Sequence, residues 1–226
     1  MITPPPDEYE PLTPGERVQY GLLVVIIFGL FAAEVIRDYQ PVKLSALLIV
    51  AFWPLLLVLH EAGHALMALL LGWRVRRFVI GMGRVVGRFR IGATRVEVRV
   101  APVEGFVVPV PTNLVMPRLK NALVYFAGPG IEIVLVLILV ALLGAEKLLT
   151  RTEDLSVIAM QSLALSAAIG IIVNLIPHGI TTPQGFIAND GLGILRSFSL
   201  PDEHFEERMI ADAAEEEIDD EYQSEE

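Results

Sequence analysis

Four stretches of this chain are too long and too apolar to be ordinary core segments. Val18 to Ile36, Ser45 to Leu71, Ala122 to Leu143 and Leu155 to Pro177 each come near the ~20 residues that an α-helix needs to cross a hydrocarbon layer. Inside a bilayer no water is available to backbone N–H and C=O groups, so such stretches must satisfy them internally as helices. The sequence therefore predicts a mainly α membrane protein with about four transmembrane helices, over 18–36, 45–71, 122–143 and 155–177. Of the 226 residues, 54% are hydrophobic and 19% charged, fewer charges than the ~25% of a soluble domain.

The connections carry orientation. Residues 73–120 hold ten of the 17 Lys and Arg residues, and the positive-inside bias places that segment in the cytosol together with both termini. The same segment alternates apolar and charged residues around a break. Phe89 and Ile91 alternate with Arg88 and Arg90, Gly92-Ala93-Thr94 interrupts, and Val96, Val98 and Val100 alternate with Arg95, Glu97 and Arg99. Period two around a glycine predicts a β-hairpin region over 76–111, flanked by Phe78-Val79-Ile80 and Phe106-Val107-Val108. A small membrane-associated sheet on the cytosolic side is expected.

Residues 1–17 read as an exposed arm rich in Pro and acid, without the basic start of a secretory signal peptide. A core over 18–200 follows, then an acidic tail over 201–226. From Asp202 onward thirteen acidic residues face one basic residue, Arg208, so the net charge of −10 belongs to the tail. Such a run is expected to be solvated and disordered, after a short amphipathic helix over Phe205, Met209, Ile210 and Ala213. It argues against nucleic acid as a partner.

Within the second apolar stretch stands His60-Glu61-Ala62-Gly63-His64. Residues four apart lie on one face of a helix, so both imidazoles can share one metal, with Glu61 beside them as a general base. Zn2+ suits such a site: it lowers the pKa of a bound water to about 7 and polarises a carbonyl. Ionisable groups in a membrane span are costly and tend to be functional. The chain has no cysteine, so a third ligand must be His, Asp or Glu. Asp190, His178, Glu132 and Glu34 are the candidates. Asp190 follows the fourth span at the depth of the histidine pair and is favoured; His178 is its local competitor. Glu132 suits a supporting role and Glu34 an interfacial one.

These residues resemble the site-2 protease group of intramembrane zinc metalloproteases, peptidase family M50. The resemblance rests on His60 to His64 in a membrane helix, Pro102-Val103-Glu104-Gly105-Phe106, Phe126-Ala127-Gly128-Pro129, and Asn174-Leu175-Ile176-Pro177 followed by Asp190-Gly191, in that order. Departures are the long interval from Asn174 to Asp190, Glu132 where an Asn is frequent, and Glu104 where a Gly is usual. The resemblance implies a zinc metalloendopeptidase of regulated intramembrane proteolysis, with zinc on His60, His64 and Asp190, Glu61 as base and Asn174 positioning substrate or oxyanion. Its partners would be transmembrane protein substrates and the lipid bilayer, and its location a prokaryotic cytoplasmic membrane. Homo-oligomer formation is left open. Two other readings also stay open. One is a non-catalytic metal-binding membrane partner of the same fold, against which the intact Glu61 speaks. The other is a metal or ion transporter, against which the lack of a visible internal repeat speaks.

Overall fold

The computed structural model describes residues 14–182 and 185–224. In chain order it contains α1 (Pro14–Arg37), a 3-10 turn (Pro41–Lys43), α2 (Leu44–Leu70), β1 (Arg74–Ile91), β2 (Thr94–Val110), α3 (Pro117–Leu143), α4 (Ala145–Leu149), α5 (Leu155–Leu175), β3 (Gly179–Thr182), β4 (Gly185–Ala188), α6 (Asp190–Ser197) and α7 (Asp202–Ser224). Residues 1–13 of the expected arm lie outside the described residues, whereas 14–17 already belong to α1.

Among the described residues, three helical segments are long and apolar enough to cross a membrane: Pro41–Leu70, Pro117–Leu143 and Leu155–Leu175. These are the second, third and fourth expected spans. The first falls on α1, whose residues Val18, Leu22, Val25, Ile26 and Leu30 are exposed. Helices α2, α3 and α5 pack against one another, and α6 lies against α3 and α5. Their buried faces are narrow, and Val50, Leu55, Leu66, Leu137 and Ile172 point outward, as apolar side chains do when lipid is the solvent.

Local chemistry sets the helix ends. Gly72 takes φ 77° beyond the end of α2, Gly72 N donates to Leu69 O, and Trp73 N donates to Ala68 O. That is a Schellman closure, and it turns the chain directly into β1. At the start of α5, the Asp154 carboxylate accepts from Ser156 N and Val157 N. Its hydrogen bonds, led by that from the Ser156 hydroxyl, hold it below the ordinary carboxylate range. Pro117 opens α3 where its missing N–H costs nothing.

The expected hairpin forms, and it is longer than the alternation suggested. β1 and β2 pair antiparallel from Ile91↔Thr94. Residues 77–80 are paired on both sides, with 105–108 on one and 95–98 on the other. The double pairing requires β1 to bend, and Gly81 and Gly83 supply positive φ at the bend. A Cβ on Gly81 would stand 2.8 Å from the Ala101 carbonyl oxygen, so the strands close up only around a glycine. Buried Glu97 is held by Arg77 and Arg99 at 3.1 Å each. Burial raises its carboxyl, but the two guanidiniums outweigh that and keep it below the usual range.

The tail departs from expectation. The expected amphipathic helix over Phe205 to Ala213 is present as the start of α7, which continues to Ser224 where a disordered end was expected. Its first turns dock on the sheet. Phe205 is fully buried with Trp73, Val75, Ala68 and Val124, Arg76 hydrogen-bonds Asp212, Arg208 donates to the Pro109 carbonyl, and Arg118 pairs with Asp202 at 2.8 Å. Net charge alone hid this, because the basic partners lie in the sheet and in α3. Phe205→Ala should cost about 3–5 kcal/mol and free α7. Hydrogen exchange over 202–214 reads this as lost amide protection, and unchanged protection there rules the packing account out.

Candidate metal and catalytic site

The buried face of α2 runs through Leu56, His60, Glu61, Gly63, His64 and Ala68. His60 and His64 lie on it one turn apart, with ring centroids 4.8 Å apart and edges crossed. Asp190, the first residue of α6, meets both. His60 Nε2 is 2.9 Å from Asp190 Oδ2, and His64 Nε2 is 3.4 Å from Asp190 Oδ1. One donor atom from each of the three lies within 4.8 Å of the others. Bonds of ~2.1 Å in a tetrahedral zinc site separate ligand atoms by about 3.4 Å, so the three converge at a spacing that a zinc ion fits.

The outer ring nitrogens decide which nitrogen faces the cluster. His64 Nδ1 is 2.6 Å from the Val124 carbonyl oxygen. A carbonyl only accepts, so Nδ1 carries the proton and Nε2 presents its lone pair inward. His60 Nδ1 faces Glu132 Oε2 at 3.4 Å. Glu132 therefore stands behind His60, on the side away from Asp190.

Two glycines make room. A Cβ on Gly128 would stand 2.4 Å from His64 Nε2 and 2.5 Å from His60 Nε2. The backbone of α3 thus lies against the Nε2 atoms of both histidines, with Pro129 fully buried next to it. On the sheet side, a Cβ on Gly105 would be 2.9 Å from Glu61 Cγ. Glu61 is thereby wedged between its own helix and β2. Gly63 serves the same packing, since its Cβ would meet the Ala127 carbonyl oxygen at 2.5 Å. Together these contacts explain physically why a Gly-Pro on α3 and a glycine in β2 accompany the histidine pair.

The long connection before Asp190 is a hairpin. β3 and β4 pair from Gly179↔Ala188 to Thr182↔Gly185, so its two ends return to the same place. Asn189 locks that place. Its Nδ2 reaches the carbonyls of Val173, Asn174 and Ile176 at 3.1, 2.9 and 2.7 Å. Its Oδ1 accepts from His178 N and from Leu192 N, the latter capping α6. Sequence reasoning passed over Asn189, although an Asn directly before a helix start is an N-cap signal. Gly191 completes the seat, since a Cβ there would be 2.2 Å from the Leu175 carbonyl oxygen.

The remaining candidates fall elsewhere. His178 is exposed, and its Nδ1 lies against Asn189 Nδ2 and the Ile176 carbonyl, outside the cluster. Glu34 pairs with Lys43 at 2.7 Å on the exposed side of α1. Asn174 turns its amide onto its own helix, donating to the Gly170 carbonyl at 3.0 Å.

The model of a protein family described as peptidase family M50 matches residues 47–176. No curated protein matches the chain. The matched region contains His60 to His64 and Gly128-Pro129 and stops before Asp190, so Asp190 is placed by geometry alone.

Gly128→Ala should abolish zinc retention without disturbing helix content, since the new methyl fills the space beside both Nε2 atoms; metal analysis beside circular dichroism checks this. Asn189→Ala should weaken zinc binding about 10–100-fold, the usual cost of losing a group that positions a ligand. Chelator competition measures it, and an unchanged affinity would show that Asp190 is held by other means.

Proposed function

The chain belongs to peptidase family M50, a metalloprotease family, and on that premise we propose that it is an intramembrane zinc endopeptidase cleaving transmembrane segments of membrane proteins. The single observation that carries the proposal is the convergence of His60 Nε2 and His64 Nε2, on a helix apolar enough to span a bilayer, with Asp190 on one point beside Glu61. His60, His64 and Asp190 would hold the zinc. When bound, zinc would acidify a water molecule and polarise the scissile carbonyl.

The chain's own residues supply the rest. Glu61, buried against Gly105, takes the proton of the attacking water and returns it to the departing amine nitrogen. The strand segment 105–108 starts at Glu61 and is paired with 77–80 on one side. An unwound substrate can add along its other side, where backbone pairing tolerates varied sequences. Unwinding is needed because peptide groups inside a helix are already hydrogen-bonded. Asn174 contributes its carbonyl, which anchors Asn189, and its side chain, with one N–H on the Gly170 carbonyl, keeps its second N–H and its oxygen for a substrate or oxyanion contact. In this reading α1 is a fourth span, and the sheet and both termini face the cytosol, as the Arg and Lys of 73–120 favour.

Glu61→Gln in proteoliposomes with single-span substrates should reduce cleavage by about 10²–10⁴-fold while the bound zinc is kept. Cleavage at the wild-type rate would remove the protease assignment. Retained zinc with no cleavage by the wild type of any single-span substrate would favour a binding role for the fold.

A further inference from the structure

Glu132 is 3% exposed and sits deep in α3, in a span where an ionisable group without a task is costly. It lies four residues after Gly128, on the same face of α3. The helix thus presents Gly128 to the inner nitrogens of the histidine pair and Glu132 to the outer nitrogen of one of them. Glu132 Oε2 and His60 Nδ1 are 3.4 Å apart. Both atoms are buried, and neither has another hydrogen-bond partner among the described residues. Leaving two such atoms unpaired costs about 1–3 kcal/mol each, and a small rotation of either group joins them. The opposite wall is shaped for this carboxylate: a Cβ on Gly170 of α5 would approach Glu132 Oε1 and Oε2 at 3.0 and 3.1 Å.

We propose that Glu132 is the positioning residue of His60: it accepts the Nδ1 proton, fixes the tautomer with Nε2 free, and holds the ring toward the point shared with His64 and Asp190. The inference rests on the metal-site reading above. The two histidines are then oriented by different means. His64 leans on a backbone carbonyl, Val124 O, which no substitution removes. His60 leans on a side chain, so its orientation is open to mutation. A carboxylate partner also makes the imidazole a more basic ligand than a carbonyl partner does.

The test is zinc affinity of the purified full chain in detergent, by competition with a chelator, with metal-free thermal melting alongside. Glu132→Ala should raise the Kd about 10–100-fold. Glu132→Gln, whose amide oxygen still accepts the Nδ1 proton, should recover most of that loss. Gly170→Ala, which crowds the carboxylate from the other side, should weaken binding in the same direction as Glu132→Ala. Cobalt in place of zinc gives a second reading, since a loosened His60 shifts the visible ligand-field bands. A folded Glu132→Ala variant with wild-type Kd and unchanged cobalt bands overturns the proposal, as does equal weakening by Gln and Ala. If the Ala variant does not fold, Gly170→Ala decides: unchanged Kd and cobalt bands there overturn the proposal, and a raised Kd upholds it. Wild-type protein that binds no zinc, where His64→Ala makes no difference, would defeat the metal-site reading itself and this inference with it.

Discussion

Placing ionisable side chains in an apolar helix costs about 2.5–3.5 kcal/mol for a group such as Asp even on the milder scales, unless neighbours take up their hydrogen bonds. His60, Glu61 and His64 impose that demand on every element around α2. Behind the rings, the Val124 carbonyl accepts from His64 and Glu132 of α3 faces His60 Nδ1, and in front the Asp190 carboxylate of α6 lies beside both Nε2 atoms. Because these contacts reach only about 3 Å, backbones must come very close. Gly63, Gly128 and Gly105 stand where that approach is tightest.

The same demand organises the periphery. Asp190 must arrive at the histidines from outside the three packed spans, so the chain leaving α5 has to turn back sharply. The β3–β4 hairpin makes the return, and Asn189 ties its end to the frayed carbonyls of α5 while capping α6. Asn121 then fixes the far end of α6 to α3 through Ser197 at 2.9 Å. Asp190 is thus held by a short helix anchored at both ends, a stiffer arrangement than a loop of the same length would give. On the other flank, the Schellman turn after α2 delivers β1 directly, which lets Gly105 reach Glu61. Helix α7 then closes over the sheet through Phe205 and Arg208.

Much of the fold was legible in residue patterns. Length and hydropathy mark the α2, α3 and α5 spans to within a few residues, because a helix in lipid has no alternative way to satisfy its backbone. Alternation around Gly92 marks the hairpin. In the tail, the helix over Phe205 to Ala213 was legible, but its docking was not, for an instructive reason. Its composition is that of a solvated acidic run, and its order depends on Trp73, Arg76 and Pro109, more than ninety residues away in the sequence. Asn174 was expected to position substrate or oxyanion, and its amide donates to the Gly170 carbonyl at 3.0 Å.

What the sequence determined by itself is local. The spacing of His60 and His64 puts two imidazoles on one face of any helix they occupy, and the apolar flanks make that helix a span. Fold class and the presence of a metal-type pair follow from those two facts. Only the tertiary structure decided which distant carboxylate joins them and which stands behind. Depth along the chain favoured Asp190 for the first role and gave Glu132 a supporting one, but only contacts between elements put half-buried Asp190 against both Nε2 atoms and buried Glu132 behind His60. The separation arises because α3 crosses behind His60 while α6 enters in front of it, and that order depends on backbone contacts at glycines, which leave no periodic trace in the chain.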